Sequence, residues 1–398
     1  MKNAKSVSFD EAVELSLSLV SKAPYKVWVS IFNAVGRVLV QDLVCKKNLP
    51  SYNNAAMDGF AFKHSEIDQK LSIKTTILAG QVVDACLGEN ECYKIMTGAK
   101  VPDDVDTIIP FEECQFYDDT YIIAAPHIKK GNALRLKGEE ESVGMPLLGV
   151  GDMLGSREIA LLASQGISMV HVYKKLTIAV FSTGNELKTP WETANDDEIY
   201  DINALALISL LKEHGFEANY CGVIPDNLEA ATEYFQEMKQ YDVLLTSGGV
   251  SMGEADFVER ALIANGFEAS FHGINIKPGK PTMMGKMGDT IVASMPGNPL
   301  AAYVNAFVFL LPVLKKLQGQ KNYNNQTVKV TNLEAFKMKS GRVNLVLGAF
   351  SKEGFKVYEQ NKYGSGMVKP LVNSNAVWVS DEKSDKIEVG DTLEIYLM

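Results

Sequence analysis

Hydrophobic positions change their period along the chain, and each change marks a different architecture. From 176 to 320, solid apolar runs alternate with segments in which apolar residues recur at helical spacing. The solid runs are 176–181, 218–224, 242–246 and 290–294; the helical patterns are about 203–214, 228–240, 255–265 and 299–317. A strand that is apolar on every side is buried on both faces. The alternation therefore predicts a parallel sheet covered by helices, a three-layer α/β/α domain. Gly215 and Gly266 fall at the expected helix ends. Ligands of such sheets bind beyond the carboxyl ends of the strands.

The flanking regions read differently. Ser8-Phe9-Asp10-Glu11 is a capping box, and Phe9, Val13, Leu17 and Val20 continue it as a helix closed by Pro24. Residues 30–39 predict a second short helix, leading into a strand over 38–44. From Pro50 onward, β-favouring runs at 60–62, 71–78, 92–96, 107–109 and 121–124 are separated by glycine, proline and aspartate clusters. That spacing predicts a small all-β domain. Residues 156–166 predict a helix with Ser156 as N-cap, pairing with the N-terminal helix. After a polar linker at 319–325, runs at 327–330, 343–347, 376–379 and 392–396 predict a C-terminal β-barrel. The expected domains are 1–45 with 138–172 (a discontinuous N-terminal helical and linker domain), 46–137 (an inserted β-domain), 173–320 (α/β) and 321–398 (the barrel).

Composition narrows the function. The chain has 398 residues and a formal net charge of −10, which argues against a nucleic-acid partner because phosphate neutralisation needs a basic face. Its five cysteines form no C-x-x-C pair, as expected of reduced thiols in a cytoplasmic protein. Residues 1–12 contain no apolar core, so no signal peptide is expected. The run 301–314 carries Asn305 and Pro312 and is too short to span a bilayer, so a buried helix and no membrane partner are expected.

The stretch 242–299 concentrates the candidate chemistry. Ser247-Gly248-Gly249-Val250-Ser251-Met252-Gly253 sits between a strand and a helix, where glycines admit a close anion and amides point at it. Pro296-Gly297-Asn298-Pro299 is a second such turn. Lys277-Pro278-Gly279-Lys280-Pro281 holds two lysines on a stiff loop suited to an anion, where a lone lysine would read as solvated surface. Glu186, Asp226 and Asp256 follow three strand ends, and oxygen ligands so placed suit Mg²⁺. Each also has a plainer reading, Glu186 as a loop carboxylate capping the next helix and Asp256 as an acid stabilised by the helix dipole. The five histidines fall in no ligand spacing, and Ser182 and Ser247 lack a nucleophile-elbow context. Composition assigns no chemistry to Asn54–Gly59, Met96–Ala99 or Gly131–Glu140.

Taken in order, these stretches resemble one family. They are Ala56-Met57-Asp58-Gly59-Phe60-Ala61, Ile95-Met96-Thr97-Gly98-Ala99, Gly131-Asn132 with Arg135 and Gly138-Glu139, Ser182-Thr183-Gly184-Asn185-Glu186-Leu187, the 246–253 turn with Asp256, Lys277–Pro281 and Pro296–Pro299. The set is similar to the molybdopterin molybdotransferases, which include bacterial MoeA and the gephyrin E-domain.

The resemblance implies four domains in an elongated homodimer, with an α/β domain similar to the molybdopterin adenylyltransferases. It implies insertion of molybdate into adenylylated molybdopterin with release of AMP, aided by Mg²⁺ or a similar divalent cation. A transient contact with the adenylyltransferase is also implied. Glu186, Asp226 and Asp256 match family acids near the nucleotide and metal. Gly248, Gly249, Ser251, Gly253, Pro296, Asn298 and Pro299 match the substrate-binding turns. Lys277, Lys280 and Pro281 match the molybdate loop, which Arg342 and Ser365 would complete. Asp58, Thr97 and Glu140 match catalytic positions, the first two reaching the site from the partner subunit.

The chain departs from the family pattern at Ala55 and Ala301, where serine is frequent, and at Asn185 and Glu140, where aspartate is usual. Rival readings are a molybdopterin adenylyltransferase and a non-catalytic scaffold of the gephyrin type. Tungstate, nearly isosteric with molybdate, is not separated from it by sequence.

Overall fold

The computed structural model describes residues 6–21, 24–84, 86–224, 227–249 and 257–398. At its start the predicted capping box forms: Glu11 N–H donates to Ser8 Oγ at 3.2 Å and Ser8 N–H to Glu11 Oε2 at 2.9 Å. Contrary to the sequence expectation, the helix Phe9–Ser18 does not pair with the helix Ser156–Ser164. Its apolar stripe packs on the α/β region instead, with Ala12 and Leu19 in one core with Ile178, Val243 and Leu311. The Phe9 ring meets Phe309 at 5.4 Å.

The central sheet has six strands in the order Ala218–Ile224, Ile178–Thr183, Val243–Ser247, Thr290–Met295, Met283–Met287, Phe267–His272. The first four are parallel, as the apolar runs predict. The last two are antiparallel and unannounced by the hydrophobic pattern. A two-residue Gly288-Asp289 turn, with Gly288 at φ +65°, closes the hairpin between Met287 and Thr290. Side chains alternate between two cores: Ile178 and Val180 face one, Ala179 and Phe181 the other. Asn203–Glu213 and the helix starting at Pro299 cover the first face, and Leu228–Glu237 and Phe257–Ala264 the second. This is the α/β/α sandwich.

Residues 299–317 form a helix long and apolar enough to cross a membrane, yet 83% of its apolar stretch is buried in the protein. It is a core helix. A π-helical turn at Ala306–Leu310 interrupts it just before Pro312. The wider turn accommodates a ring that would otherwise clash with the carbonyl four residues earlier.

The predicted short runs between 60 and 124 all form strands of one sheet, ordered Thr107–Pro110, Gly59–Phe62, Glu91–Ile95, Lys70–Ile77, Tyr121–Ile123, Phe116–Tyr117. The expected helix at 30–39 shrinks to one turn, Ile31–Asn33, because Gly36 at φ +76° ends it. The strand Lys26–Ser30 precedes that turn and pairs antiparallel with Met169–Tyr173. Gly155, not Ser156, is the N-cap of the helix Ser156–Ser164, and Glu158 Oε2 accepts its N–H at 2.9 Å.

The C-terminal sheet runs Ile276–Lys277, Val343–Ser351, Ala376–Val379, Thr392–Leu397, Thr327–Thr331, with Gly354–Val357 on the long second strand. A bridge from Asn332 to Phe355 brings its ends together into a small barrel. Its first strand, Ile276–Lys277, is lent by the α/β region. That loan positions the site.

Candidate active site

A cavity of about 780 Å³ lies where the strand ends of the central sheet meet the barrel. Gly248 and Gly249 follow the strand Val243–Ser247, and Pro296, Gly297 and Asn298 follow Thr290–Met295. Lys277, Lys280 and Pro281 form another wall, and Arg342 and Ser365 come from the barrel. The turn and the barrel are stitched together: Asn298 Nδ2 donates to Ser365 Oγ at 2.9 Å and Leu300 N–H to Ser365 O at 3.1 Å. Lys277 lies in parallel register with Asn344, so its backbone is part of a sheet while its side chain stays exposed. Lys277, Lys280 and Arg342 bring three cations to the wall, and no carboxylate is among its described lining residues. In a chain of net charge −10 this is a local positive field, suited to a compact dianion.

Two asparagines that the motifs do not announce hold the walls in place. Asn203, the first residue of its helix, donates through Nδ2 to Ser247 Oγ and Gly297 O, both at 2.7 Å, tying the two glycine turns together. Asn305 is fully buried, and its Nδ2 donates to Gly279 O at 3.2 Å and Thr282 Oγ1 at 2.8 Å. Since the Gly279 carbonyl can only accept, the amide nitrogen must face the lysine loop. Gly279 sits at φ +105°, and a Cβ there would lie 1.7 Å from Asn305 Nδ2. Both asparagines leave a buried Oδ1 without a partner among the described residues. Such an orphan costs about 1–3 kcal/mol, a sum that a core apolar residue would avoid. The sequence signal for Asn305 was its polarity inside an apolar run.

The first glycine turn is built differently from the sequence expectation. Gly248 does not offer a free amide, because its N–H donates to Met295 O at 3.1 Å. The glycines at 248 and 249 are demanded by packing as well as by φ values of +85° and +64°. A Cβ on Gly248 would meet Thr183 Oγ1 at 2.6 Å, and one on Gly249 would meet Val258 Cγ2 at 2.4 Å. Ser251, Gly253, Asp226 and Asp256 lie outside the described residues.

Other candidates stand away from this cavity. Pro299 opens its helix at the first position and is not among the lining residues. Glu186 is exposed and also off the wall; its carbonyl accepts the Ile199 N–H at 2.9 Å, and its carboxylate lies against Gly184, at φ +141°. Asp58 and Thr97 are joined to each other: Asp58 Oδ1 accepts from both the Thr97 hydroxyl and the Thr97 N–H, each at 2.6 Å. Those bonds, the hydroxyl's first, hold the Asp58 carboxyl below the usual range. The bonded arrangement is therefore favoured above the ordinary carboxyl pKa and lost as pH falls through the lowered value. Glu140 is exposed, with its N–H donating to Leu49 O at 3.0 Å. None of these three lines the cavity of the same chain. Among the described residues no group of three His, Cys, Asp or Glu is placed to hold a metal, so Glu186 alone does not make a cation site.

Fold and site thus define a multidomain α/β and β protein with a cleft at its strand ends lined by three basic side chains. Residues 7–166 match the MoeA N-terminal region (domains I and II), 179–316 the probable molybdopterin binding domain, and 329–398 the MoeA C-terminal region (domain IV). The molybdopterin molybdenumtransferase of Haemophilus influenzae is 31% identical over 378 residues, covering 92% of this chain and 93% of its own. That of Staphylococcus aureus is 27% identical over 397 residues, covering 97% and 94%. The crystal structure of the molybdopterin biosynthesis moeA protein from Pyrococcus horikoshii OT3 superposes with a TM-score of 0.85 at 26% identity, covering 99% and 100%. The chain belongs to the molybdopterin molybdenumtransferase family.

Proposed function

We propose that the protein inserts molybdate into adenylylated molybdopterin and releases AMP, a transferase step of molybdenum cofactor biosynthesis. The observation that carries this reading is the cavity wall of Lys277, Lys280 and Arg342, with no carboxylate among its described lining residues. Molybdate is a tetrahedral dianion. Two ammonium groups and a guanidinium offset its charge, and the Ser365 hydroxyl offers a donor beside them. The two glycine turns occupy the strand ends where an α/β sheet receives its ligand, so pterin and oxyanion would meet at the junction with the barrel.

The reading includes Mg²⁺ or a similar divalent cation on the acidic side, with Glu186, Asp226 and Asp256 as its ligands. When bound, such an ion would offset charge on the substrate phosphates. It also includes cytoplasmic placement and a transient contact with the adenylyltransferase that supplies the substrate. The free thiols of all five cysteines accord with a reducing compartment.

The test is AMP release from adenylylated molybdopterin by the purified protein, with and without molybdate. Release that depends on molybdate is expected. ATP consumption to adenylylate free molybdopterin would move the assignment to the adenylyltransferases. No turnover of either substrate would favour a scaffold.

The reading further includes a homodimer in which Asp58 and Thr97 face the partner's cavity. An exposed apolar face supports this. The strand pair Lys26–Ser30 and Met169–Tyr173 buries Val170 and Val172, half-buries Val27 and Val29, and turns Trp28, stacked on His171 at 4.8 Å, outward. Phe32, 92% exposed, and Val35 follow within seven residues of Trp28 in the chain. Large apolar side chains exposed close together are typical of protein interfaces. Phe32→Asp is expected to shift the protein from dimer to monomer in sedimentation and to lower turnover with it. An unchanged dimer would remove this face from the interface.

A further inference from the structure

A second recess, of about 450 Å³, opens on the barrel. Lys337, Lys362, Lys386, Gln360 and Asn361 line it, and no carboxylate is among its described lining residues. Asn361 also lines the first cavity, so the two share a wall.

Two features of this recess are unfavourable for folding alone. Lys337 and Lys386 stand directly opposite each other in the antiparallel pair Phe336–Lys337 and Lys386–Ile387. Their neighbours Phe336 and Ile387 are buried, so both lysines project from the same outer face. Like charges directly across a strand pair are destabilising. Glu388 forms an ion pair with Lys386. Among the described residues Lys362 has only a neutral partner, with Nζ 3.0 Å from Gln360 Oε1. No described carboxylate pairs with Lys337.

The second feature is backbone strain. Glu359, Gln360 and Asn361 are consecutive non-glycine residues at φ +42°, +51° and +63°. Side-chain-bearing residues rarely enter this left-handed region singly, and three in succession are held only by their surroundings. Lys362 N–H donates to Glu359 O at 2.9 Å, and Asn361 Nδ2 to Lys337 O at 3.3 Å. The strained turn is what brings the two amide side chains and Lys362 to the same recess as the opposed lysines.

We propose that this recess binds a tetrahedral, phosphate-type dianion, held by the ammonium groups of Lys337, Lys362 and Lys386 with the Gln360 amide. A bound dianion removes the repulsion between the opposed lysines and gives the strained turn a ligand to hold. Lys277 and Lys280 take no part in it.

The test compares full-length protein with and without added inorganic phosphate, at constant ionic strength set with chloride so that screening is equal. AMP serves as a second probe, representing a phosphate monoester. Phosphate is expected to raise the Tm of the wild type and of Lys277→Ala/Lys280→Ala alike. Lys337→Gln should be at least as stable as the wild type without phosphate, yet bind phosphate about tenfold more weakly by calorimetry. A Lys337-dependent response to phosphate identifies a free oxyanion as sufficient, and one to AMP alone identifies a monoester. The proposal fails if neither probe shifts the wild type. It fails equally if Lys337→Gln responds as the wild type does, or if the response vanishes in Lys277→Ala/Lys280→Ala. Because that last variant disables the first cavity, the outcome is separable from the molybdate assignment.

Discussion

Replacing Lys277 and Lys280 together with alanine is expected to lower molybdate-dependent AMP release by about a hundredfold or more, the loss typical of removing preorganised charge from a reaction site. Folding should be nearly unaffected. Both side chains are exposed, and neither forms an ion pair with a described residue. Their Tm should therefore stay close to that of the wild type, as is usual for surface substitutions. The kinetic split reports what each lysine does. A lysine that only captures molybdate raises KM and leaves kcat; one that stabilises charge developing during insertion lowers kcat as well. Full turnover in the double variant would overturn the placement of molybdate at this wall.

Gly279→Ala is expected to disable the same wall by a different route. The new methyl group would lie 1.7 Å from the buried Asn305 amide, on a residue whose φ of +105° already disfavours a side chain. Loop and asparagine cannot both stay where they are. A stability loss of about 1–3 kcal/mol is expected, together with a rise in KM for molybdate as the two lysines lose their anchor. The informative variant is the double one. Asn305→Ala alone removes the amide that fastens Gly279 O and Thr282. Combined with Gly279→Ala, it also removes the clash. The double variant should thus be less impaired than the sum of the singles, recovering only in part because the φ strain persists. Strict additivity in KM and Tm would show that Asn305 does not position this loop.

The legible and illegible parts of the molecule divide by distance along the chain. The four parallel strands were readable because burial on both faces leaves a solid apolar run. The antiparallel pair was not: Met283–Met287 contains a glycine and no β-branched residue. Gly285 is required there because a Cβ would meet Glu268 O at 2.2 Å, a contact with another strand. The helix Phe9–Ser18 was visible, but its docking on the core helix some 290 positions later was not. Asn203 and Asn305 escaped for the same reason, since their partners Gly297 and Gly279 lie 94 and 26 residues away.

The residue types of the site are written in short local patterns: two lysines fixed by prolines, and glycine turns at strand ends, each a few residues long. Sequence alone could place Arg342 and Ser365 with them only by resemblance. Tertiary structure decided that these elements share one cavity, because Ile276–Lys277 leaves the central sheet and pairs with the barrel strand at Val343 and Asn344. It also withdrew the Gly248 amide from the anion, by bonding it to Met295 O. Local pattern fixes which groups a segment can offer. Which of those groups remain free, and which face one another, is settled by hydrogen bonds and packing between segments far apart in sequence.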